Sequence, residues 1–140
     1  MAGLLGQRVM GEQLAEFRRL AAGHSFAWGS WDCGLLCAEW VLARRGVDPA
    51  LMSRGRYSTA LGLARFLMRR GGLIAHFDDC LSQVGIKRVT SPRRGDVVIV
   101  EAEQGLTAGI VTGPLVMLPC AVGIVERRLD LMPVVAAWRV

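Results

Sequence analysis

The sequence predicts an α+β fold in which N-terminal helices pack on a C-terminal antiparallel β-sheet. Before Ser91 the apolar residues recur at helical spacing, whereas after it short β-branched runs alternate with turn residues. Helices grouped before strands are typical of an α+β domain. The length suits one domain, 1–140, with an N-terminal helix in 1–25, a helical part in 26–90 and the sheet in 91–140.

Two helices are predicted in the first third of the chain. The first covers Val9 to Ala22 and ends at Gly23, with its apolar face formed by Val9, Leu14, Phe17, Leu20 and Ala21. The second begins after Asp32, whose carboxylate suits an N-cap. Its buried face is expected to contain Cys33, Leu36, Cys37, Trp40 and Val41, and it closes at Arg44, Arg45 and Gly46.

Two further helices and five strands complete the predicted order. The third helix covers Thr59 to Arg70, with Leu63, Phe66 and Leu67 pointing inward, and the fourth covers Leu73 to Val84. The strand candidates are Val97–Val100, Leu106–Thr112, Leu115–Leu118, Ala121–Glu126 and Val134–Val140.

The composition excludes several classes of protein. Hydrophobic residues make up 52% and charged residues 21%, which is incompatible with disorder, collagen or a coiled coil. The segment Gln104–Val125 has no charge, but Pro114, Pro119 and several glycines divide it, so it predicts strands rather than a membrane span. No signal peptide is expected in Met1–Gly11, which indicates synthesis in a cytoplasm.

Cys33 is the candidate nucleophile. A thiol in the first turn of a helix lies near unpaired backbone N–H groups and the positive end of the helix dipole, which stabilise a thiolate. The alternative is that Cys33 is a small buried hydrophobe, a common fate of a free cysteine.

The order of short motifs resembles the NlpC-type cysteine peptidases, papain-like enzymes that cleave bacterial cell-wall peptides. The segments that carry the resemblance are Phe26-x-Trp28-Gly29-x-x-Asp32-Cys33, Arg94-Gly95-Asp96-Val97-Val98, Ala108-Gly109-Ile110-Val111-x-Gly113 and Ala137-Trp138-Arg139-Val140. In that family an Asp-Cys pair opens the helix and a strand carries a histidine base. Members occur in the tail-tip region of bacteriophages, so the resemblance implies a papain-like fold and a tail-associated role.

The family's catalytic base is missing from this sequence. Alignment of Ala108-Gly109-Ile110 on the family's Val-Gly-Ile places the base at Thr107, which cannot take a proton from a thiol near neutral pH. The polar residue that orients the histidine falls near Pro119. The chain's two histidines, His24 and His76, lie far from that strand, and each is expected to be structural.

No metal or cofactor is expected. Cys33 and Cys37 are one helical turn apart, but Cys80 and Cys120 are isolated, so the four cysteines lack the close pairs of zinc or iron–sulfur sites. Arginine doublets and a net charge of +5 permit nucleic-acid binding. The arginine doublets are better explained by the preference for cations near helix C-termini and for arginine at protein interfaces than by nucleic-acid binding.

These observations favour a structural subunit of a phage tail, at the tail tip or in tail assembly, built on a degenerate NlpC-like domain. It would be made in the host cytoplasm, carried in the virion, and packed against other tail proteins in an oligomer or a hetero-assembly. The alternative is an active cysteine hydrolase that cleaves cell-wall peptides with Cys33. A small nucleic-acid-binding domain is the third hypothesis.

Overall fold

The computed structural model describes residues 3–140, which form four α-helices followed by a five-stranded antiparallel sheet. The helices are α1 (Leu4–Ala22), α2 (Cys33–Arg45), α3 (Ala60–Met68) and α4 (Leu73–Gln83). The strands are β1 (Val97–Ala102), β2 (Gly105–Val111), β3 (Leu115–Cys120), β4 (Gly123–Arg128) and β5 (Val134–Trp138). The predicted α+β class is confirmed.

Local sequence explains where the helices begin and end. Asp32 caps α2 and Thr59 caps α3, each by accepting a hydrogen bond from the backbone N–H three residues later. The first helix is longer than predicted because it begins at Leu4. Its buried face is narrower, since Leu14, Phe17 and Ala21 are buried whereas the predicted Val9 and Leu20 are exposed.

Strand β1 lies inside the sheet, whose order is β4-β3-β2-β1-β5. Its first four residues are fully buried because both faces of the sheet are covered. Val97 and Ile99 face the helices, and Val98 and Val100 belong to a second apolar cluster on the opposite face. Residues of the turns flanking the strands, among them Leu129, pack against that second cluster.

Helix α2 lies at the centre of the helix-facing core. Its predicted apolar face packs into the same cluster as Val97 and Ile99, and α1 packs against it from outside. The indole N–H of the fully buried Trp40 donates to the carbonyl oxygen of Gly95 at 2.8 Å. This bond ties the middle of α2 to the turn that precedes β1.

The uncharged segment Gln104–Val125 contributes to β2, β3 and β4, as its turn residues predicted. No helix within residues 3–140 has both the length and the apolar character needed to cross a membrane.

The Trp40 hydrogen bond is expected to contribute measurably to stability. Trp40→Phe leaves the Gly95 carbonyl without its indole partner and removes buried volume, so the free energy of unfolding should fall by about 2–3 kcal/mol. Urea unfolding measures the change. Trp28→Phe is the control. Because Trp28 is partly exposed, this substitution should lower the free energy of unfolding by less than about 1 kcal/mol. Equal losses in the two variants would contradict the assignment.

Candidate functional site

The buried carboxylate of Asp32 organises the start of α2. One oxygen accepts the backbone N–H of Leu35 at 3.0 Å, and the other accepts the backbone N–H of Gly29 at 3.1 Å. The hydroxyl of Tyr57 donates to that second oxygen at 2.6 Å. Asp32 therefore does more than cap the helix, since it joins α2 to the turn before it and to the loop before α3.

Gly29 is required by a close backbone contact. It adopts a positive φ of 80°, and a Cβ at this position would lie 1.9 Å from the carbonyl oxygen of Tyr57. The Gly29 carbonyl accepts the backbone N–H of Gly55 at 3.0 Å. The turn before α2 and the loop before α3 are consequently held together by backbone contact as well as through Asp32.

Cys33 is the first residue of α2 and packs against the helix-facing core. Burial raises the pKa of its thiol above the ordinary value, and the adjacent Asp32 carboxylate raises it further. Nearby backbone amides, that of Ala108 above all, offset part of this increase in the pKa. The thiol is therefore protonated at neutral pH, which makes it a poor nucleophile.

The structure places Ala108, rather than Thr107, on the face of β2 that meets Cys33. Ala108 and Ile110 belong to the helix-facing core, and successive strand residues point to opposite faces of the sheet. Thr107 therefore points away from Cys33, and its hydroxyl donates to the Gly105 carbonyl at 3.2 Å. The alignment to the resembling family placed the missing base at Thr107, whereas the strand residue that faces Cys33 is Ala108, one position later.

The two histidines have different surroundings. His24 stacks on Trp31 with ring centroids 3.9 Å apart. His76 is buried on α4, and its Nε2 lies 3.1 Å from the hydroxyl oxygen of Ser53. Burial lowers the pKa of His76 below its ordinary value, and the charge of Arg70 lowers it further, so the ring is neutral at pH 7.

A small apolar cavity lies beside the start of α2. Its volume is about 60 Å³, and it is partly open to solvent between α2, α3, α4 and the loop before α3. Cys33 and His76 both line this cavity, although no hydrogen bond joins them. Most of the remaining wall is aliphatic or aromatic, with Leu63, Phe66 and Phe77 among its members.

The sequence analysis missed the position of His76 in this cavity. One local signal was available, because His76 and Cys80 are one helical turn apart, and the Cys80 sulfur lies 3.7 Å from both ring nitrogens. Ser53 comes from a distant loop that no local pattern connects to α4. Within residues 3–140 no three His, Cys, Asp or Glu side chains are grouped as metal ligands would be.

Comparison with known proteins identifies one family model, described as a domain of unknown function (DUF6950), which matches residues 7–140. The match includes the whole sheet, α2 and the cavity beside it. No curated protein matches the chain.

Tyr57 is the only tyrosine of the chain, so its ionisation can be followed by absorbance. Burial raises its pKa above the ordinary value of 10.0, and the hydrogen bond to Asp32 adds to the increase. Asp32→Asn removes the charge but can still cap the helix. We expect the pKa of Tyr57 to fall towards 10 while remaining above it, because burial is the larger cause.

An alkaline spectrophotometric titration, with circular dichroism to monitor folding, measures this pKa. Asp130→Asn serves as the control, because Asp130 is exposed and pairs with Arg128. A Tyr57 titration that Asp32→Asn leaves unchanged would show that the carboxylate does not hold the phenol.

His76 should make stability depend on pH. Its pKa is lower in the folded protein than the ordinary 6.5, so the unfolded chain binds the proton more readily. The contribution of neutral His76 to the free energy of unfolding is complete above pH 6.5 and is lost as the pH falls below 6.5. Urea unfolding at pH 7.5 and 5.5 should show a smaller decrease for His76→Gln than for the unaltered protein. His24→Gln should retain the full decrease, and identical decreases in all three proteins would refute the assignment to His76.

Proposed function

The chain belongs to the DUF6950 family, and we propose that it is a structural subunit of a bacteriophage tail, at the tail tip or in tail assembly, built on a catalytically degenerate NlpC-like domain. The observation that carries the proposal is the environment of Cys33. A protonated, partly buried thiol meets the strand position of Ala108, whose methyl group can neither accept nor donate a proton.

The arrangement of the motifs supports the resemblance to the NlpC-type peptidases. Cys33 opens a helix that packs on the middle of an antiparallel sheet, and the Gly95-Asp96 pair leads directly into β1. The segment Ala108–Val111 lies on β2, next to β1, which is where the resemblance expects the strand that carries the base.

The proposed loss of catalysis follows from the absence of a base beside the Cys33 thiol. A cysteine hydrolase needs a base within hydrogen-bonding reach of its thiol, and the two groups act as a unit. His76 lines the same cavity, but its Nε2 lies 3.1 Å from the hydroxyl oxygen of Ser53 and makes no hydrogen bond with Cys33. A neutral imidazole without a hydrogen bond to Cys33 does not produce a thiolate there.

A role in an assembly accounts for the surface. Large apolar side chains remain exposed, among them Leu4, Leu51, Met68, Val122 and Leu131. Exposed apolar side chains are compatible with a surface that other proteins cover, and arginine is enriched at protein interfaces. Within the proposal the partners are other tail proteins, the chain is made in the host cytoplasm, and it is carried in the virion.

The proposal predicts that Cys33 is dispensable in a phage that encodes this chain. Cys33→Ala should leave tails assembled and the plaque titre within about threefold of the parent, because a neutral thiol with no base does no chemistry. Deletion of the gene should instead remove complete tails from electron micrographs. Cys120→Ala controls for the loss of a thiol elsewhere. Normal particles of Cys33→Ala that fail to infect would favour the hydrolase alternative.

A further inference from the structure

Strand β4 forms a free edge of the sheet. The sheet order β4-β3-β2-β1-β5 gives β4 a single neighbour, β3. Just after β4, the backbone N–H of Leu129 donates to the carbonyl oxygen of Pro114, which precedes β3. Because backbone groups alternate in direction along a strand, the odd-numbered residues of β4 bond towards β3. The backbone groups of Ile124, Glu126 and Arg128 therefore point outward.

The outward backbone groups of β4 differ from those at the opposite edge of the sheet. Within residues 3–140, no backbone group bonds to the N–H or C=O groups of Ile124, Glu126 and Arg128. At the other edge, the N–H of Val89 donates to the carbonyl oxygen of Ala137 and covers the end of β5. Strand β4 also contains neither a proline nor a bulge, two features that block an edge strand. Its free groups are therefore available to a further strand.

The charges on β4 match those of a second, antiparallel β4. Glu126 and Arg128 are two residues apart, so their side chains lie on the same face of the sheet. A two-fold register centred on Arg127 joins outward-facing groups and places Glu126 opposite Arg128 of the other copy, twice. The register centred on Glu126 would instead bring two carboxylates together. Charge complementarity therefore selects a second copy and the register of its pairing.

The ion pairs within the chain leave both charges available at the edge. The Glu126 carboxylate contacts Arg18 at 2.9 Å and accepts the Thr112 hydroxyl at 3.1 Å, which hold it in place on its strand. A carboxylate has four acceptor positions, so a further guanidinium can bind. Arg128 contacts Asp130 at 2.6 Å, but both side chains are exposed, and such pairs exchange partners at little cost.

Exposed apolar side chains flank β4 at both ends. Val122, in the turn before the strand, is 88% exposed, and Leu131, in the turn after it, is 70% exposed. Antiparallel pairing brings the start of one strand beside the end of the other. Val122 of one copy and Leu131 of the other therefore come to the same end of the contact, where each can shield the other from water.

We propose that the chain forms a two-fold dimer in which β4 pairs antiparallel with β4 of a second copy and joins the two sheets into one. Addition of a strand to a free edge is a common mode of recognition, and self-pairing of one edge closes at two copies. The contact is one short strand, so the dissociation constant is about 10–100 µM. The inference rests on the proposed function, for which it names a second copy as a partner.

Sedimentation equilibrium and amide hydrogen exchange of the full chain test the dimer. We expect a change from monomer to dimer between about 1 and 500 µM, with slower exchange of the Glu126 and Arg128 amides over the same range. The Arg127 amide is the internal control, because it bonds towards β3 and should exchange equally slowly throughout. A chain that stays monomeric at about 500 µM, or that dimerises without protection of the Glu126 and Arg128 amides, would overturn the proposal.

Substitutions at Arg128 separate the backbone hydrogen bond from the charge. Arg128 has a φ of −65°, which proline adopts without strain, and its N–H points outward. Arg128→Pro should weaken the dimer by about tenfold or more, whereas Arg128→Ala keeps the N–H and should weaken it by about threefold. Urea unfolding checks that both variants fold. Equal weakening by folded variants would show that this N–H makes no bond between copies and would refute the pairing.

Charge variants test the register without altering the backbone. Arg128→Glu should weaken the dimer by about tenfold or more, because the new carboxylate faces Glu126 of the other copy. Arg127→Thr should strengthen it, because the two-fold axis places two Arg127 side chains together. The matched control Arg69→Glu makes the same charge change at an exposed position on α3 and should alter the dimer less than about threefold.

Equal weakening by Arg128→Glu and Arg69→Glu would assign the effect to net charge and contradict the proposed edge contact. Such a result leaves the structural function standing, because that function is judged by the infectivity of Cys33→Ala particles.

Discussion

The buried carboxylate of Asp32 is the interaction on which this end of the molecule depends. A charge removed from water is costly unless it is fully hydrogen-bonded, and here two backbone N–H groups and the Tyr57 hydroxyl satisfy it. The bond from Leu35 caps α2 itself, and the bonds from Gly29 and Tyr57 each join another segment to the start of the helix. The turn containing Gly29 and the loop containing Tyr57 must therefore keep their positions for the carboxylate to remain buried.

The same carboxylate works against a reactive cysteine. The N-terminus of a helix favours a thiolate through its dipole and its free N–H groups. At Cys33, burial raises the thiol pKa, the neighbouring amides lower it and the negative charge of Asp32 raises it further, so that the pKa stays above its ordinary value. An active site would need a cation close to the sulfur to reverse this balance. The strand position that faces the sulfur holds Ala108 instead.

The helices and strands could be predicted from the sequence because apolar spacing and β-branched runs are visible within a few consecutive residues. The spacing of Leu36 and Trp40 indicated the buried face of α2, and the β-branched run at Val97 indicated a strand. Whether the side chain of Thr107 points towards Cys33 or away from it depends on which face of β2 meets the helices. A shift of one residue in the strand alignment exchanges the two faces. The contact between Ser53 and His76 joins a loop to α4, and no periodicity in either segment carries that information.

The Asp32 carboxylate and the start of helix α3 are connected through Tyr57. Tyr57, held by Asp32, is followed two residues later by Thr59, whose side chain accepts the Gly62 N–H and begins α3. A Cβ at Gly62 would lie 3.2 Å from the Cβ of Tyr57, so the first turn of α3 rests against that residue. Phe66 is the only buried side chain of α3, and its ring also packs beside Tyr57, with ring centroids 5.7 Å apart, so Tyr57 helps to fix the position of the helix. The Asp-Cys motif that would orient a nucleophile in a peptidase thus positions an exposed apolar helix in this chain.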